Sequence, residues 1–120
     1  MPNRYSNRPG DGAKRYEGRR EGYAVIVTVD GRRLNPRLDL WNHRPTGFEW
    51  GYGGSGPAQL ALAILADHCG NDKQAFDFHH RFKWALIAEL PFRRWTLTRE
   101  EIDRVLHILQ ELEPLLEGVT

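Results

Sequence analysis

The sequence predicts an α+β domain, in which a small antiparallel sheet of about three strands packs against three helices, the first of them central. Three observations predict it. A β-branched run from Tyr23 to Val29 ends on Asp30-Gly31, a strong two-residue hairpin signal. Beyond Tyr52, the block Gly53-Gly54-Ser55-Gly56-Pro57 opens an alanine- and leucine-rich stretch that is apolar all round, as in a helix buried on most sides. Thr98, with Glu101 three residues later, forms a capping box ahead of a third amphipathic stretch.

Taken in order, residues 1–20 hold Pro2, Pro9, Gly10, Gly12 and Gly18 with almost no aliphatic side chain. Such a segment cannot bury enough surface to offset the entropy of ordering, so a disordered basic arm is expected there, followed by a single domain over 21–120. The first strand is placed at 22–29. Leu34, Leu38 and Leu40 keep a period of two for a return strand, although Pro36 must sit at an edge or a bend. A third extended piece runs from Gly47 to Tyr52, with Phe48 and Trp50 on one face. The first helix begins near Pro57, a residue favoured in a first turn, and Gly70 is placed to end it in a left-handed conformation. Asn71 or Asp72 caps a second helix that reaches about Glu89, before Pro91. In the third helix Ile102, Val105, Leu106, Leu109 and Leu112 recur at helical spacing. Pro114 should end or kink it, leaving Leu115, Leu116 and Val119 either to fold back on the second helix or to build a homodimer.

The 120 residues carry a formal net charge of +1, but the charges are sorted. Residues 1–44 hold ten Lys/Arg against five acids, whereas residues 99–120 hold two against six. A basic front can attract phosphates or an acidic protein surface, or simply keep a tail solvated. No apolar stretch approaches the roughly 20 residues needed to span a bilayer, and the Arg-rich N-terminus lacks the apolar core of a secretory signal. A single cysteine, Cys69, excludes an internal disulfide and points to a reducing compartment. The cytoplasm is the expected location.

The block from His43 to Ala63, His-Arg-Pro-Thr-Gly-Phe-Glu-Trp-Gly-Tyr-Gly-Gly-Ser-Gly-Pro-Ala-Gln-Leu-Ala-Leu-Ala, resembles an uncharacterised family of small proteins from bacteria, archaea, phages and plasmids. In that family the block is followed by an Ala/Leu helix, an aromatic helix with a pair like Phe82-Lys83, and a Trp like Trp95. The resemblance implies the company of mobile elements, whose small proteins often act against host defence by binding a defence complex, anti-CRISPR proteins among them. It assigns no chemistry.

Successive glycines before a helix can present free N–H groups to one point, where the helix dipole adds a positive potential. Gly53, Gly54, Ser55 and Gly56 are therefore candidates for a phosphate- or carboxylate-binding loop, a partner-contacting loop, or a tight turn closed by Glu49 or Asp39. The Walker Lys-Ser/Thr is absent and Pro57 removes a donor. If the block is a turn, Gly54 or Gly56 should adopt positive φ. Ser55 with His43 or His68 as base fails the Gly-x-Ser-x-Gly pattern at its last position, Pro57. His68-Cys69 and His79-His80 invite a metal reading, but neighbouring helical side chains diverge by about 100° and no CxxC or HxxxH accompanies them, so no metal or other cofactor is expected. Arg37, Trp41, His43, Arg44, Arg93 and Arg94 are the candidate interface, because Trp, Tyr and Arg dominate interface hot spots. An acidic third helix speaks against sequence-specific DNA reading. The expected function is a non-enzymatic protein-binding module directed at a host protein or ribonucleoprotein complex; the competing reading is a phosphate- or nucleotide-binding protein, or a small enzyme, using the glycine loop.

Overall fold

The computed structural model describes residues 14–45 and 47–117, with side chains through residue 112. Four antiparallel strands form one open sheet: β1 (Arg15–Glu21), β2 (Ala24–Val29), β3 (Arg32–Arg33) and β4 (Arg94–Thr98), in the spatial order β3-β2-β1-β4. Three helices, α1 (Ser55–Cys69), α2 (Asp72–Ala85) and α3 (Arg99–Glu117), complete the α+β fold, with a single 3₁₀ turn at Ile87–Glu89. No described helix is long and apolar enough to cross a membrane.

The largest correction to the sequence reading is β1. Residues 15–20, assigned to a disordered arm, are the middle of the sheet: β1 pairs with β2 from Tyr16↔Val29 to Glu21↔Ala24 and with β4 from Arg15↔Thr98 to Arg19↔Arg94. Only residues 1–13 of the expected arm lie outside the described part. Few aliphatics mark β1 because its inward positions are filled in other ways. Tyr16 is fully buried and its hydroxyl donates to Asp67 on α1 at 2.6 Å. Gly18 leaves room for the Trp95 indole, which a β-carbon there would meet at 2.4 Å. Arg20 lays its guanidinium 4.6 Å from the Trp50 ring centroid and 3.9 Å from that of Phe92. The two-residue turn into β2 uses Gly22 at φ 61, the glycine-first form of a hairpin.

The Asp30-Gly31 hairpin is present, with positive φ at both residues (50 and 85), as the twist of paired strands requires. Its return strand is short. Leu34 still donates its N–H to Val27, but Pro36 follows, and Arg37 turns the chain at φ 54, so Leu38 and Leu40 never join the sheet. Gly47 to Tyr52 is not a strand either. The sheet instead includes β4, which the sequence reading did not contain.

α1 is buried continuously from Gly56 to Ala66, ends at Gly70 with φ 64, and packs along α2, as its all-round apolar character requires. Asn71 caps α2 by accepting from the Gln74 N–H at 3.0 Å. α2 stops at Ala85, earlier than expected, and the 3₁₀ turn takes the chain on to Leu90. Thr98 and Glu101 form the reciprocal capping box of α3, and Ile102, Leu106 and Leu109 reach the common core. Pro114 does not stop α3, which continues to Glu117. A proline in a last turn forfeits one backbone bond, which a helix already anchored by packing tolerates. The side chains of Leu115, Leu116 and Val119 lie outside the described residues.

Because β1 is the central strand, a chain starting at residue 21 should lose cooperative unfolding altogether. Urea denaturation followed by circular dichroism checks this, against the intact chain.

Candidate functional site

The glycine block is built by close approach, not by left-handed turning. Gly54 is extended (φ −147, ψ −163) and Gly56 lies within the first turn of α1; the positive φ values fall upstream, at Gly47 (127) and Gly51 (87). The expectation for Gly54 and Gly56 is therefore overturned. What these glycines supply is space. A β-carbon at Gly53 would stand 2.1 Å from the Trp84 ring, at Gly54 2.7 Å from Tyr52, and at Gly56 2.6 Å from the Glu49 side chain and 2.7 Å from Arg44 Nη1. Ser55 is exposed at the start of α1, and His43, the base considered for it, is turned toward His79 instead.

Glu49 is itself held by a two-pronged contact from Arg20, Nη2 to Oε1 at 2.8 Å and Nη1 to Oε2 at 3.3 Å, while Arg20 Nε donates to the Phe92 carbonyl at 2.8 Å. This contact keeps the Glu49 carboxyl below its ordinary range, against the opposing effect of burial. The Trp50 indole donates to the same Phe92 carbonyl at 2.9 Å. One arginine thus fastens β1, the segment before α1, and the approach to β4.

A second fastening starts inside α1. Gln59 is fully buried on a helix whose other inward residues are apolar, and its amide makes four hydrogen bonds. Oε1 accepts from the backbone N–H of His43 at 2.7 Å and of Arg44 at 3.3 Å; Nε2 donates to the carbonyls of Pro36 at 2.7 Å and Trp41 at 3.0 Å. Arg37 supports the same irregular stretch from outside, bridging Asp39 and Asp72 with contacts of 3.0–3.2 Å.

This clamp delivers His43 to α2. Its Nε2 lies 2.9 Å from Nε2 of His79, and one ring nitrogen each of His43, His79 and His80 lie within 4.8 Å of one another. His79 is buried, with Nδ1 2.7 Å from the Phe76 carbonyl; a carbonyl can only accept, so Nδ1 carries the proton. Burial lowers the pKa of all three imidazoles, with nearby Lys83 adding repulsion, and takes His79 down to about 4. His79 is thus neutral at pH 7, its Nε2 offers a lone pair, and His43 Nε2–H donates to it. Trp41 lies 5.4 Å from His43 and 5.5 Å from Phe76 between ring centroids, forming an aromatic wall.

The candidate interface residues fall into two neighbourhoods. Trp41 and His43 border the imidazole cluster, and Arg37 serves the fold through its aspartates. Arg93 and Arg94 are exposed at the start of β4, where Arg20 donates its backbone N–H to the Arg93 carbonyl. Arg44 lies against Gly56. The sequence reading missed the meeting of His43 with the His pair, because residues 36 positions apart are brought together by tertiary bonds, those of Gln59 above all. The outward aromatic set of Tyr52, Trp84 and Phe92 was not among the candidate site residues either.

Sheet order, buried first helix and clamped glycine block define a small α+β protein of one consistent pattern. A family model, DUF6166, a family of unknown function, matches residues 16–108, and the chain belongs to that family. No curated protein and no solved structure matches the chain.

Gln59→Leu would strand two backbone donors and two backbone acceptors in partly buried surroundings. Each unsatisfied group costs about 1–3 kcal/mol, so a loss on the order of 3 kcal/mol or more is expected in urea unfolding. The Arg20–Glu49 pair sets an acid dependence. A carboxyl whose native pKa is lowered adds stability that is complete above the unfolded value, about 4.3, and is lost as pH falls through the native value. Glu49→Gln should therefore flatten the loss of stability below about pH 4.3, measured as melting temperature against pH.

Proposed function

We propose that the protein is a non-enzymatic protein-binding module, and that the surface around the glycine block is its contact face. The observation that carries this reading is the set of three large, exposed aromatics beside the block, Tyr52 (49% exposed), Trp84 (61%) and Phe92 (67%). Each ring is held in place. Tyr52 lies against Gly54, Trp84 against Gly53 with Lys83 Nζ 4.5 Å from its ring centroid, and Phe92 beneath the Arg20 guanidinium. Rings fixed before binding lose little freedom on association, and aromatics flanked by cations are the composition of interface hot spots. Exposed Arg93 and Arg94 follow Phe92 directly, so the partner surface that fits is apolar at its centre and acidic at its rim. The resemblance to proteins of mobile elements makes a host defence complex the first partner to test.

The competing phosphate-cradle reading has less behind it, since the faces of Gly53, Gly54 and Gly56 are taken by Trp84, Tyr52, and Glu49 with Arg44. Two measurements test the choice. Phosphate, nucleotides and cyclic oligonucleotides should leave the melting temperature unchanged, whereas a ligand at 100 times its dissociation constant would add about 2.7 kcal/mol. Trp84→Ala with Phe92→Ala should keep the fold, by circular dichroism, and lose a defence-complex component that the parent chain retains, with retention by the parent weakening as salt rises. Equal retention by both chains, or stabilisation by a phosphate ligand, overturns the reading.

A further inference from the structure

The imidazole cluster is made of residues other than the three rings of the contact face, with Lys83 between the two, and calls for its own explanation. Three histidines of the chain's five converge, one from the segment before α1 and two from α2. The expected 100° divergence of His79 and His80 does not keep them apart: their ring centroids are 4.2 Å from each other, and His43 approaches them at 5.1 and 5.3 Å. Part of this gathering is ring packing against Trp41 and Phe76. The gathering also places polar rings of one kind, none of them favoured in the charged form, around one point.

Each ring is prepared differently. His79 is fixed by its Nδ1–H bond to the Phe76 carbonyl, so Nε2 is the free nitrogen; a backbone carbonyl behind a ligating imidazole is a common way to set its tautomer and orientation. His43 is placed through its backbone by Gln59. His80 is exposed, with its ring centroid 4.2 Å from that of His79. Around a tetrahedral ion with bonds of about 2.0–2.1 Å, ligand nitrogens stand ~3.4 Å apart. The 2.9 Å between His43 and His79 lies just inside that spacing, and the 4.8 Å limit of the cluster closes by turning His80.

We propose that His43, His79 and His80 form a binding site for a divalent transition ion of the zinc class, with Nε2 of His79 as the fixed ligand and a fourth position facing solvent. Neutral imidazole nitrogens suit zinc, copper and nickel, and the absence of a carboxylate from the cluster excludes the oxygen-seeking calcium and magnesium. On the metal, His43 changes tautomer: the Nε2 proton it donates to His79 is released, Nδ1 takes one up, and the ring stays neutral. The half-exposed rim of His43 and His80, walled by Trp41 and Phe76, leaves the fourth position to water or to a side chain of a bound partner. Lys83 is the charge that opposes the ion. This inference does not depend on the binding-module reading.

The test uses the tag-free full chain with zinc chloride in calorimetry, and cobalt chloride in visible absorption. One zinc per chain and the intense visible bands of four-coordinate cobalt are expected. His80→Ala, on an exposed ring, should fold normally and weaken zinc at least 100-fold, as should His43→Ala, whereas His68→Ala and His107→Ala should leave the affinity unchanged. Lys83→Gln should tighten binding. Failure of the parent chain to bind zinc stoichiometrically at pH 7.5, or zinc affinity that survives both His80→Ala and His43→Ala, overturns the proposal. A contact face that works in the absence of zinc would leave the metal site to be judged on these readouts alone.

Discussion

A single buried amide holds the irregular stretch from Pro36 to Arg44 in place. Gln59 is surrounded by Leu60, Leu62, Ile64 and the alanines of α1, and in such surroundings an unpaired amide would be costly. It is tolerated because all four of its bonding directions are met by backbone groups between Pro36 and Arg44. That stretch has no strand and no helix of its own, so its backbone groups need partners from elsewhere. The helix and the loop satisfy each other, and the position of His43 is a result of that exchange.

The same economy appears where rings meet backbone. Gly18 receives Trp95, Gly53 receives Trp84, and Gly54 receives Tyr52. A small chain accommodates many large aromatics by laying them over residues that have no side chain, which brings planar surface against peptide planes at contact distance. Gly56 does the same for Glu49 and Arg44. The glycine-rich appearance of the block therefore records packing, and its length follows from the number of side chains that must be seated.

Much of this was legible in the residues. The hairpin at Asp30-Gly31, the buried α1, its glycine stop, the Asn71 cap and the Thr98–Glu101 box each rest on local chemistry, and each is found. What could not be read depends on distant partners. β1 looks like a polar tail because Gly18 and Arg20 face inward only once Trp95, Trp50, Phe92 and Glu49 are in place. β4, in Arg-Trp-Thr-Leu-Thr, has a clear period of two, but five residues after Pro91 read as a connection before a strong helix signal. The candidate site divides in the same way. Trp41 and His43 were singled out by residue type, yet their neighbours His79 and His80 were set aside on helical geometry that ignores a third ring arriving from outside. Arg37 was read as part of an interface and spends its guanidinium on Asp39 and Asp72, bracing the loop from outside.

The order of the strands also bears on how the chain reaches this state. β1 is made before the other strands and lies inside the sheet, but one of its two neighbours is β4, so that Arg15 must meet Thr98 across 83 positions of sequence. The β1–β2 ribbon can form early, through its two-residue turn, and two-stranded ribbons alone are marginal in water. Its second edge stays open until α1 and α2 have been synthesised and have emerged. Pairings of such long sequence separation slow folding, because the loop must close before the contact rewards it. α3 follows β4 without a linker, so completion of the sheet and docking of that helix are one event, and the core stays unfinished until β4 and α3 have emerged.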